Sequence, residues 1–254
     1  MPVLEREGVD IYYEVHGSGP ALLMTHGYSA TSQMWQPQID LLSQRHTLIT
    51  WDMRGHGQSG SPKDDAAYSE SLTTADMKAL LDHLGFEIAI IGGLSLGGYM
   101  SLAFYADYAE RVKALLIIDT GPGFKNEKAR EGWNVVARER ADAIEKNGAN
   151  ALEGRSAEQA LSQHKDIMGL VYAGRNMLTQ KSSRVIESLP GIGVPSIVVA
   201  GGDDEPFLAA TDYMAAKIPG AEKVIIPDAG HAVNLDQPEA FNRAISDFLN
   251  SYNL

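Results

Sequence analysis

Short, unbroken apolar runs alternate with longer stretches of helical periodicity along most of this chain, and that alternation restricts its fold more than any single residue does. Residues 88–91 and 114–118 are continuously apolar, as strands buried on both faces of a parallel sheet must be. Residues 197–200 and 223–226 read as the same type. Residues 11–15, 21–24 and 47–51 are further β-like runs, the first two separated by the Gly17-Ser18-Gly19-Pro20 break. Between these runs, residues 72–84 set Leu72, Ala75, Ala79, Leu80 and Leu84 on one helical face, and residues 96–108, 207–218 and 238–249 are patterned similarly. Strand after helix after strand predicts an α/β fold with a mostly parallel central sheet flanked by helices. The first two strands have no helix between them and are expected to run antiparallel.

The rhythm stops between Gly121 and Pro190, where no convincing strand occurs. Residues 126–146 are rich in Glu, Lys, Arg and Ala, and residues 157–165 and 177–189 also have a helical look. Such a stretch is too long for an ordinary strand-to-helix loop. Residues 121–190 are therefore expected to form a helical cap inserted into a core domain made of residues 1–120 and 191–254.

Composition removes several function classes. Acidic residues outnumber basic ones, 33 to 21, for a formal charge of −12, which would repel a phosphate backbone; nucleic acid is not an expected partner. The chain has no cysteine, so disulfides, thiolate metal sites and a thiol nucleophile are all excluded. The longest apolar runs, such as Leu115-Leu116-Ile117-Ile118, are far too short to span a membrane. The opening residues, Met1-Pro2-Val3-Leu4-Glu5-Arg6-Glu7, place charges where a signal peptide needs an apolar core. A cytoplasmic protein without a membrane partner is the expectation. Asp203-Asp204-Glu205 lacks histidines at a ligand spacing, and no phosphate-loop motif occurs, so neither a metal nor another cofactor is expected.

The chemistry concentrates at Gly93-Leu94-Ser95-Leu96-Gly97, since no other serine has glycines at that spacing on both sides. The motif follows an apolar strand and opens a helix. A sharp strand-to-helix turn there would expose the serine oxygen, and the two glycines would let neighbouring chains pass closely. The serine would also sit at a helix N-terminus, where free N–H groups favour developing negative charge.

Four segments in order carry a resemblance to the α/β-hydrolase superfamily: His26-Gly27-Tyr28, Asp52-Met53-Arg54-Gly55-His56-Gly57-Gln58-Ser59, Gly93-Leu94-Ser95-Leu96-Gly97-Gly98, and Gly230-His231. The resemblance implies an α/β-hydrolase fold and a Ser-His-Asp triad. Ser95 would be the nucleophile and His231 its base. For the acid, the family spacing counted from Gly201 selects Asp204, with Asp203, Glu205 and the earlier Asp119 as alternatives. The backbone N–H groups of Leu96 and Tyr28 would form the oxyanion hole. His26 and His56 belong to motifs that shape loops, His46 and His83 read as surface positions, and His164 lies in the insert.

The expected activity is hydrolysis of small to medium carboxylic esters through an acyl-enzyme. Leu94, Leu96 and Val233 are candidate pocket residues beside the triad, and Trp133, Met168 and Tyr172 are candidates from the insert. Arg175 is a candidate anchor for a substrate carboxylate, which would favour a lactonase or a carbon–carbon bond hydrolase of ring-fission products. The alternative of another class is a slow-turnover ligand receptor of the same fold. Dehalogenases and epoxide hydrolases of this fold place aspartate where Ser95 stands.

Overall fold

A computed structural model describes residues 2–152 and 156–254 of the 254-residue chain. Its strands form one eight-stranded sheet in the order β1-β2-β4-β3-β5-β6-β7-β8. In chain order these are β1 (Val3–Arg6), β2 (Val9–His16), β3 (Ala21–Thr25), β4 (Thr47–Trp51), β5 (Ala89–Leu94), β6 (Val112–Ile118), β7 (Ser196–Gly201) and β8 (Glu222–Ile226). The β1–β2 and β2–β4 pairs are antiparallel, and the remaining five pairs are parallel. The expected reversal between the first two predicted strands, β2 and β3, therefore occurs, but they do not pair: β4 lies between them.

Ten α-helices fill the connections: α1 (Gln36–Leu42), α2 (Glu70–His83), α3 (Leu96–Asp107), α4 (Glu127–Asn147), α5 (Ala157–Ala160), α6 (Ile167–Asn176), α7 (Arg184–Ser188), α8 (Glu205–Lys217), α9 (Val233–Asp236) and α10 (Pro238–Ser251). That count is of the described residues. The strand alternation splits the buried apolar side chains into two clusters, one on each face of the sheet. Leu23, Ile49, Ile91 and Ile117 join side chains from α2, α3, α4 and α6. Leu22, Leu48, Ile90 and Leu116 join Trp35 and the α10 residues Phe241, Ile245 and Phe248. β3, β4, β5 and β7 are buried along their whole length. β8 is not, although residues 223–226 read as a doubly buried run. It is the edge strand, pairs only with β7, and exposes Lys223 and Ile225.

The stretch expected as a cap runs from β6 to β7, with its residues 153–155 outside the described ones. Its helices fall at different places than the periodicity suggests. α6 occupies residues that carried no helical expectation. Residues 177–183 are not helical, because α4 satisfies their backbone instead. Trp133 Nε1 donates to the Leu178 carbonyl at 2.8 Å, and the Asn134 side chain bonds both backbone polar groups of Gln180. Residues 161–165 likewise leave the helix, since the Lys165 N–H donates to the Gly57 carbonyl of the core. His46, expected at the surface, is buried, and its Nδ1 lies 3.2 Å from the Leu42 carbonyl. No helix among the described residues is long and apolar enough to cross a membrane.

The loop after β4 is held by buried charge. Arg54 reaches Asp76 of α2 with two hydrogen bonds of 2.7 Å, and Arg6 of β1 adds a third at 2.6 Å. The Asp76 side chain is fully buried. Removing one member of such a pair leaves the other charged and dry, which costs about 3–5 kcal/mol. Asp76→Ala should therefore lower unfolding free energy in urea by about that much. A loss under about 1 kcal/mol would mean that the pair contributes no more than an exposed one.

Candidate active site

Ser95 stands between β5 and α3 with φ 56° and ψ −117°, a conformation that L-residues rarely adopt. The sequence makes that turn possible by omission of side chains. A Cβ on Gly93 would lie 2.5 Å from the Gly97 backbone, and one on Gly97 would lie 2.1 Å from the Thr25 carbonyl oxygen. The turn is then pinned: the Ser95 N–H donates to Ile118 at 2.9 Å, and Thr120 Oγ1 donates to the Ser95 carbonyl at 2.6 Å. Leu96 is the first residue of α3, so its N–H belongs to the helical turn that has no internal acceptor.

The loop after β3 presses against this turn. A Cβ at Gly27 would come 3.4 Å from Ser95 Cβ, and Tyr28 lines the same cavity as Ser95. The Tyr28 hydroxyl donates to the Leu170 carbonyl of α6 at 2.8 Å. Three histidines, His26 and His56 fully buried and His164 half-buried, support the loop from behind. His26 Nε2 accepts from the Met53 N–H at 3.0 Å, so Nδ1 carries the proton and donates to the Gly27 carbonyl at 2.7 Å. His164 Nδ1 accepts from the Gly57 N–H, so its Nε2 donates to the Ser29 carbonyl at 3.1 Å. Gln159 Nε2 adds a bond to Ser29 Oγ at 2.9 Å. His56 packs between the other two rings, with centroids 5.0 and 6.1 Å away. Burial keeps all three imidazoles uncharged at neutral pH, holding His26 down to about 4.

Asp204 and His231 come from the ends of β7 and β8. Their loops are stitched together by Gly202 N–H to Ile226 at 2.7 Å and Asp203 N–H to Ala229 at 2.9 Å. Gly201 permits the approach, since a Cβ there would meet the Gly230 carbonyl oxygen at 2.2 Å. His231 Nδ1–H donates to Asp204 Oδ2 at 2.7 Å, and Asp204 is only 7 % exposed. With Nδ1 engaged, Nε2 is the nitrogen left for Ser95. Burial works against protonating His231, but above all the hydrogen bond and charge of Asp204 outweigh it and raise its pKa. Asp119 takes neither imidazole nitrogen. Its Oδ1 accepts from the Gly201 N–H at 2.8 Å and its Oδ2 from the Val233 N–H at 3.4 Å, and burial pushes its carboxyl up to about 8.

Ser95, Asp204 and His231 line one cavity of about 980 Å³, together with Tyr28, Leu96 and Trp133. The other pocket candidates lie elsewhere. Leu94 and Val233 are fully buried in the sheet core, Leu94 because it is the last residue of β5. Met168 packs against the opposite core, and Tyr172 stacks on Tyr68 with centroids 5.5 Å apart. Arg175 lies outside this cavity, its guanidinium engaged by Asp142 and Glu145 at 2.6 Å each, so it is not placed to anchor a substrate carboxylate. Sequence reasoning missed Tyr99, Glu158, Gln159 and Phe207 as wall residues. Tyr99 was findable as the residue one helical turn beyond Ser95. Phe207, whose ring centroid lies 4.9 Å from that of His231, follows three residues after Asp204. Glu158 and Gln159 have the composition of a solvated face and carry no such signal. Among the described residues no group of three or more His, Asp or Glu could hold a metal ion.

Comparison with known proteins identifies the family. A sequence model described as the alpha/beta hydrolase family matches residues 22–244. A protein of Bacillus subtilis (strain 168), provisionally named 2-succinyl-6-hydroxy-2,4-cyclohexadiene-1-carboxylate synthase, is 29% identical over 95% of this chain and 96% of its own. The 3-oxoadipate enol-lactonase 1 of Acinetobacter baylyi is 28% identical, covering 98% and 96% respectively. Among solved structures, a thermophilic esterase from Thermogutta terrifontis superposes with a TM-score of 0.81 at 27% identity, covering 98% of this chain and 96% of that one.

The charge balance around His231 gives a direct expectation. Its imidazole should titrate above the ordinary 6.5 by NMR, and Asp204→Asn should lower that midpoint by removing the charge that favours the protonated ring. A midpoint unchanged in Asp204→Asn would show that Asp204 does not set the proton affinity of this ring.

Proposed function

Because the chain belongs to the α/β-hydrolase family, we propose that it is a serine hydrolase of small to medium carboxylic esters working through an acyl-enzyme. The observation that carries this reading is the 2.7 Å bond from His231 Nδ1 to Asp204, at the wall of the cavity into which the Ser95 turn opens. A serine hydroxyl is a weak nucleophile until a base takes its proton. His231 Nε2 is that base. As Ser95 Oγ bonds to the ester carbonyl carbon, its proton passes to Nε2, and the Asp204 carboxylate stabilises the imidazolium that forms. The carbonyl oxygen becomes an oxyanion, held by the N–H groups of Leu96 and Tyr28. The tetrahedral adduct collapses, His231 returns its proton to the leaving alkoxide, and the alcohol departs. Water then attacks the acyl-enzyme, giving its proton to His231. The second adduct expels Ser95 Oγ, which recovers the proton, and the carboxylic acid is released.

Residues 121–190 act in this reading as a cap that chooses the substrate. The wall contains Leu96, Phe124, Trp133, Leu178, Ile186 and Phe207, which suits an acyl group with apolar bulk. Lactones are cyclic esters and would pass through the same steps, and similarity to an enol-lactonase makes them the second class to examine.

Ser95→Ala should keep the fold and lose turnover of p-nitrophenyl esters by a factor on the order of 10⁶, since nucleophile and base act as a unit. A lactone and a ring-fission diketo acid belong in the same assay, to rank the bond classes. Catalysis needs His231 neutral, so kcat/KM should rise with pH through a midpoint above 6.5. Wild-type rates in Ser95→Ala would overturn the mechanism.

A further inference from the structure

The cavity beside Ser95 contains more hydrogen-bond acceptors than its own donors satisfy. Glu158, at the second position of α5, lines it and is only 3 % exposed. Its Oε1 accepts from Ser156 Oγ at 2.6 Å. Its Oε2 is buried and has no hydrogen-bond partner among the described residues. The same holds for Oε1 of Gln159 and Oε1 of Gln180, which line the same cavity. Gln180 is fixed in place, because Asn134 binds its backbone and its side chain fills the space over Gly123, where a Cβ would come 2.8 Å from Oε1. Gln159 is fixed through Ser29. Buried acceptors are ordinarily paired, and three unpaired ones in one cavity mark a place where a ligand brings the donors. Glu158 carries the argument furthest, since a carboxyl group, unlike an amide, cannot be turned over to present an N–H donor.

We propose that Glu158 Oε2, in a cavity wall that also includes Gln159 and Gln180, is a subsite for a donor group on the substrate, above all a protonated amine, and that the enzyme prefers amine-bearing acyl esters to anionic ones. The subsite is near the reaction centre, because Glu158 lines the same cavity as Ser95 and His231, and Gln159 braces the loop that carries Tyr28. A substrate ammonium fits as a compact cation whose donors the Glu158 carboxylate can accept. A substrate carboxylate would meet oxygen against oxygen there. The cavity also holds Arg140, whose guanidinium lies 5.8 Å over the Trp133 ring. A dominant role for that cation would produce the opposite preference.

The proposal as a statement about substrates rests on the ester-hydrolase reading, so its test has a kinetic arm and a binding arm. The kinetic probes are p-nitrophenyl esters of cyclohexanecarboxylic acid bearing a trans ring substituent opposite the ester: aminomethyl, methyl or carboxylate. Wild type should rank them in that order by kcat/KM, with the amine ahead of the methyl by on the order of ten- to a hundredfold, the worth of a charge-assisted hydrogen bond. Glu158→Gln should collapse the amine-to-methyl ratio toward one. The ratio is taken within one protein, so partial misfolding of the variant cancels from it. The binding arm uses the corresponding carboxamides with Ser95→Ala and with Ser95→Ala/Glu158→Gln, followed by calorimetry. The amine should bind tighter than the methyl compound only while Glu158 is present. Hydrolysis of none of the esters, with the amine-selective binding intact, would sink the hydrolase reading and leave the subsite standing. Equal binding of amine and methyl compounds, or preference for the carboxylate, overturns the subsite.

Discussion

A serine held at φ 56° is the constraint on which the rest of the site depends. Left-handed backbone at a non-glycine residue costs on the order of 1–3 kcal/mol and survives only where its surroundings over-determine it. Here the surroundings are the centre of the sheet. β5 lies between β3 and β6, and both neighbours hold the turn: the end of β6 accepts the Ser95 N–H, while the β3 carbonyls pass so near Gly97 that no side chain fits. The strand that leads into the loop with Gly27 and Tyr28 is the same β3. Pinning the serine therefore also fixes the loop packed against it, where a Cβ on Gly27 would lie 3.4 Å from Ser95 Cβ. A pocket assembled on a mobile loop could not offer that preorganisation, which is where most electrostatic stabilisation of an oxyanion comes from.

The second constraint is the presence of two carboxyls near one imidazole. If both were ionised in a nearly dry place, they would repel each other and stabilise a charged ring at rest. The fold divides their work. Asp119 is fully buried at the end of β6, its carboxyl is pushed up to about 8, and it ties the Gly201 and Val233 backbones together. Asp204 occupies the N-cap position of α8, bonds His231 directly, and raises the proton affinity of that ring. Asp119 thus sets the distance between the acid loop and the histidine loop, and Asp204 acts within the gap so fixed. The ambiguity among Asp203, Asp204, Glu205 and Asp119 could not be resolved from residue types alone, because each is an acid at the end of a strand. In the structure it is an Asp204 oxygen that reaches His231 Nδ1.

What the sequence made legible follows from the range of the forces involved. The parallel strands and main helices were readable because burial imposes a local period. The serine turn was readable because close backbone approach demands glycine at fixed offsets. The edge character of β8 was not, since Val224, Ile225 and Ile226 look equally apolar whether one face or two are covered. Residues 177–183 were misread as helical because their backbone partners, Trp133 and Asn134, lie more than forty positions earlier. Leu94 and Val233 adjoin reactive residues in sequence, yet strand alternation and the α9 turn send them into the core. Arg175 had the right chemistry for an anchor, but its neighbours across α4 decide where its charge is used.

The insert therefore does more than cover the cavity. Between residues 156 and 165 it supplies Gln159 and His164 to the loop that carries Tyr28, and the Lys165 N–H to the loop after β4. Those two core loops already share the Asp52 carboxylate, which accepts from the N–H of Ser32 at 2.7 Å and of Gln58 at 2.8 Å. The same short segment places Glu158 and Gln159 in the wall of the cavity that Ser95 lines. A group that satisfies Glu158 also holds α5 in place, and α5 in place holds Ser29 and the adjacent N–H of Tyr28. Substrate contacts remote from the scissile bond would then strengthen the grip on the oxyanion and appear in kcat as well as KM. One ten-residue stretch of the insert thus reaches both the loop that carries Tyr28 and the cavity that Ser95 lines.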